Sequence, residues 1–392
     1  MAWCAGAALC AVLAGCLSPV TIERAGVEYD RAVTRVIIEQ LLLNIARARH
    51  HHPLHFTVVS NVAATFDFRV NAGITPKLAA GDGPDLLPFF GSTVAENPTV
   101  SIVPVEGEEF TKRLLTPLDE TKFHFLLRQG VDVSMLLRLM ARGFRSQGPD
   151  GERVLANVPV NEAEYREFRR RVLHLNALHQ ARKLYVEPLT FEKTWELPLN
   201  SAEAFQALEK GYHITHNPKE SSYLLRKQVN GRIVITNYNP TILSNEVRYH
   251  LHQEASRMPV NQILVDIRPG YPGGEYPFHG SFRLRSFNAI LMFLAEGIQE
   301  EPEYDVEQDA RTGPVRFNPP KTLEVSETAT PPGDAAFAVT YNGRVYAIRG
   351  QGEQAANVAR WNLEAFRMLY QLFQMTVTDV SKTLVPAITI AK

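Results

Sequence analysis

All three cysteines of this chain, Cys4, Cys10 and Cys16, fall within its first sixteen residues. From Leu17 to Lys392 there is none. The folded body therefore has to close without a disulfide, a cysteine-ligated metal or a cysteine nucleophile. A hydrophobic core has to hold it instead. At 392 residues, 45% of them hydrophobic, the chain can bury one large domain or two of ordinary size. The formal net charge of −1 lacks the basic excess of a nucleic-acid footprint, so no nucleic-acid partner is expected. The basic run Arg166–Arg171 is interleaved with Glu162, Glu164 and Glu167 and reads as a solvated helix face.

Residues Ala2 to Gly15 are small or apolar and carry no charge. Such a run has the length of a signal-peptide core and falls short of the roughly 20 residues that span a bilayer. It ends in Leu13-Ala14-Gly15-Cys16, which resembles the lipobox of bacterial lipoproteins. The resemblance implies that residues 1–15 are a cleaved signal peptide, that Cys16 is the lipid attachment site, and that residues 16–27 are a tether. The membrane is then a partner through that lipid. Several acyl chains hold far more firmly than a single one. Leu17, where inner-membrane lipoproteins carry Asp, implies the outer membrane, facing the periplasm. No later segment is long enough to span, since the longest apolar run is Ala289–Ala295.

Beyond the tether, the patterning predicts an α+β fold: antiparallel sheets packed by several amphipathic helices. A helix is expected from Tyr29 to Arg49, stopped by Pro53, with Val33, Val36, Ile37, Leu41 and Ile45 on one face. Phe56 and Val58, then Ala64, Phe66, Phe68 and Val70, alternate with the period of a strand. Residues 71–97 read as a long Gly/Pro-rich loop. Helices are expected at 108–115, 119–128 and 131–145, with Asp119 capping the second. Another runs over 161–183 with Asn161 and Glu164 as a capping box. Asn230-Gly231 and Asn342-Gly343 each predict a hairpin turn. A main domain is expected over 28–300, divisible into two lobes near 150–160 or near 200. An acidic, Pro-rich excursion follows over 301–335, then a C-terminal hairpin and long helix over 336–392.

The chemistry-bearing residues are sparse. His50, His51, His52 and His55 cluster, but consecutive side chains point apart, and a helix C-terminus suits them as a polar end. The pairs His213/His216 and His250/His252 lack the His-x-x-x-His spacing and neighbouring Glu of a zinc protease. Gly350-x-Gly352-x-x-Ala355 matches part of a dinucleotide fingerprint, but too little chain follows to complete that fold. No catalytic residue, metal or cofactor is expected. Tyr271, Tyr276 and Phe278, in a Gly/Pro loop, are the candidate partner-contact patch, with cover for the protein's own core as the alternative.

The segment Glu39–Arg49, together with Val377–Ser381 and Pro386–Lys392, is similar to a group of uncharacterised proteobacterial envelope lipoproteins. That resemblance implies a location and no activity. The leading expectation is a non-catalytic scaffold or assembly factor of an envelope complex, with an envelope protein as partner. A lipid-tethered hydrolase is the competitor and predicts a cleft where two or more of Asp266, His250, His252 and His279 converge. A small-ligand binder would show an apolar pocket with a few inward polar groups.

Overall fold

A computed structural model describes residues 2–77, 85–148, 151–197, 201–217, 222–350 and 356–377, with residues 2–22, 24–25, 60–101, 147–148, 197, 201–202, 204, 217 and 377 described as backbone only. It divides into two compact units. The first comprises residues 1–41 and 54–107. It holds most of a long helix α1 (Ala2–Arg49) and a two-stranded antiparallel ribbon, β1 (Phe56–Lys77) and β2 (Asp85–Val105). The expected tether over residues 16–27 is helical backbone within α1, Pro19 and Gly26 included. A proline already has a helical φ, so one inside a helix forfeits a single hydrogen bond and strains the preceding turn without having to end it. Residues 71–97, read from sequence as a loop, are strand on either side of residues 78–84, with Asn71 opposite Gly91. The Gly and Pro content hid the pairing. No helix among the described residues is long and apolar enough to cross a membrane.

The second unit comprises residues 42–53 and 108–392. After the last turns of α1 come α2 (Glu108–Leu115), α3 (Glu120–Arg128), α4 (Val133–Met140), β3 (Ala141–Gly148), β4 (Gly151–Ala156) and α5 (Glu162–Gln180). Then follow β5 (Tyr185–Leu197), α6 (Ser201–Glu209), β6 (His213–Asn217), β7 (Ser222–Thr236), α7 (Asn245–Ser256), β8 (Gln262–Ile267), β9 (Phe278–Leu284) and α8 (Phe287–Glu296). The chain closes with β10 (Ser326–Thr328), β11 (Ala335–Tyr341), β12 (Arg344–Arg349) and α9 (Ala356–Val377). The class is α+β, as the patterning predicts.

The main sheet runs β4-β3-β9-β8-β7-β5, with β6 also on β7. Every pairing is antiparallel except β7 with β8. Strand β8 is buried at every position, as a strand covered on both faces must be. Leu264 faces α7, where it clusters with Leu251, Ala255, Leu189 and Val234. On the opposite face, Phe282 of β9, paired with Ile263, packs against Phe168 of α5 at 6.0 Å between ring centroids. A smaller sheet, β10-β12-β11, stands apart from this one.

Helix starts follow side-chain chemistry. Asp119 accepts from the Lys122 amide at 2.9 Å, and Asp132, Ser244 and Ser286 cap α4, α7 and α8 in the same way. Asn161 makes no such side-chain bond, and the Glu164 carboxylate accepts from the Ala156 amide instead of closing a capping box.

Two further expectations need correction. The helix read over 131–145 ends at Met140, and Ala141–Gly148 joins the sheet as β3. A Cβ on Gly143 would lie 2.7 Å from the Leu155 carbonyl oxygen, a backbone approach only a glycine in a strand allows there. Asn342-Gly343 does turn β11 into β12, with φ of 47° and 72° as a type I′ turn needs. Asn230-Gly231 does not turn. It lies inside the continuous strand β7, at a bulge opposite Leu189 where pairing with β5 slips. Gly231 is required there for space: a Cβ would sit 2.5 Å from His252 Nδ1.

Candidate functional site

Because Asp266 shares the face of Leu264, it points toward α7. His279 lies opposite it in register on β9. Its Nδ1 is 3.2 Å from Asp266 Oδ1, and its Nε2 is 2.6 Å from Glu254 Oε1 on α7. The other Asp266 oxygen accepts from the Tyr238 hydroxyl at 2.5 Å and from Arg268 Nε at 2.6 Å. Hydrogen bonds to Asp266 and Glu254 push the His279 pKa up to about 9, so the ring is a cation at neutral pH with both N–H groups donating. Burial acts to raise the Asp266 pKa, but His279, Tyr238 and Arg268 outweigh it and hold the carboxyl below its usual value. Burial and the neighbouring Asp266 push the Tyr238 hydroxyl up, so it stays a donor.

Of the four residues in the hydrolase reading, Asp266 and His279 meet. His250 is exposed on α7. His252 stacks on Phe191 at 4.6 Å, and its Nδ1 accepts from the Arg232 amide at 3.3 Å. Glu254, Tyr238 and Arg268 escaped the sequence reading. Arg268 had a signal, since it continues the two-residue alternation from Asp266 one position past the end of β8. Tyr238 had none.

The candidate contact loop folds inward. Tyr276 and Phe278 are buried, with Tyr276 edge-on to His174 at 5.3 Å and Arg311 over its ring at 4.2 Å. Tyr271 is half-buried against Tyr238 at 5.0 Å. These aromatics cover the protein's own core. Beside them, α5, Pro272–Glu275 and Arg311–Arg316 line an open cavity of about 530 Å³. Its walls include Ala177, Leu178, Pro314 and Val315, with Arg311 and Glu275 at polar positions. His174 lines it with Nε2 2.9 Å from the Gly273 carbonyl oxygen, and burial lowers its pKa, leaving it neutral.

The densest buried charge lies elsewhere. Arg138 and Arg169, both fully buried, converge on Glu303 with Tyr165 and Thr322. Arg138 Nη1 donates to the Pro319 carbonyl at 2.8 Å and Nη2 to the Pro320 carbonyl at 2.7 Å. Arg169 Nη2 donates to Asn318 Oδ1 at 2.9 Å. Burial alone would raise the Glu303 pKa, but the two guanidinium groups hold it low. The Pro-rich stretch read as an exposed excursion is thus drawn into the interior, with Val306, Leu323 and Val325 buried as well. The arrangement is a clamp on irregular backbone, where the guanidiniums satisfy carbonyls that no sheet takes up.

The rings of His50 and His52 lie 5.9 Å apart, both against Tyr341, rather than pointing apart as the sequence suggests. His50 Nε2 is 2.8 Å from the Tyr346 hydroxyl, and His52 Nδ1 is 2.5 Å from that of Tyr341. Among the described residues no three His, Cys, Asp or Glu side chains are placed to hold a metal ion. The Cys16 side chain, residues 351–355 of the Gly-rich motif and the strand expected at 388–390 lie outside the described residues. The chain matches no family model, no curated protein and no solved structure.

Proposed function

We propose that this protein is a lipid-anchored envelope protein that scaffolds or assembles a complex and performs no chemistry of its own. The observation that carries the non-catalytic part is the closure of His279. Both ring nitrogens are engaged by carboxylates, which leaves neither free to take a proton from a nucleophile. The cluster ties β8, β9 and α7 together as a structural lock. The anchoring part rests on Leu13-Ala14-Gly15-Cys16, with Leu17 favouring the outer membrane, facing the periplasm. Labelled palmitate should enter the wild type and not Cys16→Ser, and the labelled protein should fractionate with the outer membrane. An unlabelled wild type, or label on both, would remove the anchor. Crosslinking in cells should then capture a partner on the wild type. A second reading, a small-ligand binder, is favoured by the cavity beside His174, whose volume lies within the range for small-molecule sites.

A further inference from the structure

The ribbon of the first unit is a sheet of two strands. β1 has 22 residues and β2 has 21, paired from Phe56 opposite Val105 to Lys77 opposite Asp85. At 3.3 Å per residue the ribbon is about 70 Å long. Each strand uses one side of its backbone for the partner. The other side carries a second row of N–H and C=O groups, and among the described residues no third strand joins either edge. A two-stranded ribbon is marginal in water, and an open edge is a template for another strand.

Natural edges are blunted by charge, and this one is largely bare of it. From Val70 to Pro76 and from Leu86 to Ala95 there is no charged residue. β1 has no proline before Pro76, while β2 has Pro88, Pro98 and Pro104, with Phe89–Asn97 the longest proline-free stretch between them. A proline inside a paired strand is tolerated where its missing N–H would have faced outward. Positions of even number in this part of β2 are therefore the outward donors, and Ser92 and Val94 are among those that remain.

We propose that the ribbons of several copies of this chain pair edge to edge, β2 of one against β1 of the next, into one closed multi-chain sheet. The two free edges of a copy run antiparallel and match in length, so each addition repeats the pairing already present within the ribbon. Such a contact is head-to-tail, and it makes a ring when the rotation closes. Closure is easier when copies are presented in one orientation, as a shared lipid anchor would present them. That clause rests on the anchored reading above. A second copy fits better than a foreign strand because it brings both an edge of the right length and the next free edge.

The test uses the full chain extracted in detergent, with its mass measured by light scattering after size exclusion and palmitate labelling read in parallel. The wild type should appear as one discrete species of several chains. Ser92→Pro with Val94→Pro should reduce it to the mass of one chain, with label and the thermal midpoint of the second unit unchanged. Three results would overturn the ring: a single-chain wild type, an oligomer indifferent to the two prolines, or a mass that is not a whole multiple of the chain. A labelled single chain would sink the ring and leave the anchor standing. An unlabelled oligomer lost on proline substitution would do the reverse.

Discussion

Glu254 on α7 and His279 on β9 are joined across the face of the sheet by a 2.6 Å Oε1 to Nε2 contact, and Asp266 holds the other nitrogen of the same ring. The histidine is therefore a cationic bridge between two anions. Its energetics are pH-dependent in a defined direction.

The His279 pKa is raised in the folded protein to about 9, against an ordinary value of 6.5. A raised pKa stabilises the fold fully below about 6.5, where the unfolded histidine is also protonated, and that stabilisation disappears as pH climbs through 9. The ring is about one-third exposed, which screens the pair, so ~1–2 kcal/mol is expected rather than the full linkage value. His279→Gln should lower the melting temperature at pH 6 and narrow its gap to the wild type as pH approaches 9. A gap independent of pH would show that the ring stays neutral.

Glu303→Gln should be among the most damaging substitutions in the chain. It leaves two fully buried guanidiniums without their carboxylate, a loss of about 3–5 kcal/mol when one partner of a buried pair is removed. Denaturant unfolding would measure it. A loss below 1 kcal/mol would mean that the carbonyls of Pro319 and Pro320 carry the charge alone.

Gly231→Ala should destabilise by about 1–3 kcal/mol through overpacking against His252 and Phe191. His252→Ala in the same chain should recover part of that loss, so the two effects would not add. Additive losses would place the strain in the backbone instead.

Gly343→Ala should lose about 1–2 kcal/mol for another reason, since its φ of 72° is unfavourable for any residue with a Cβ. Nothing lies within 4 Å of that added carbon, so trimming neighbours should not rescue it.

These two glycines show how far the sequence could be read. Both sit in Val/Tyr-Asn-Gly-Arg contexts, and the dipeptide alone predicts two turns. Only Asn342-Gly343 makes one. At Gly231 the deciding facts are nonlocal: β5 runs along the whole of β7, and α7 delivers His252 to the same spot. Helix starts with a side-chain cap, such as α3 behind Asp119, were legible because the chemistry lies within four residues. The end of α4 was not, because Leu155 across the sheet determines what Gly143 can do. In the candidate site, Asp266 and His279 could be singled out by residue type. Glu254 and Tyr238 join them only through tertiary packing.

The clamp around Pro319 and Pro320 also bears on timing. Arg138 bonds to Thr322 across 184 residues of sequence, and Arg169 to Asn318 across 149. Neither guanidinium can be buried at tolerable cost until that late stretch arrives, and closing so long a loop is slow. A chain emerging from its N-terminus must therefore hold α4 and α5 unsealed until most of its length is out. The body can latch only once residues 318–322 have arrived.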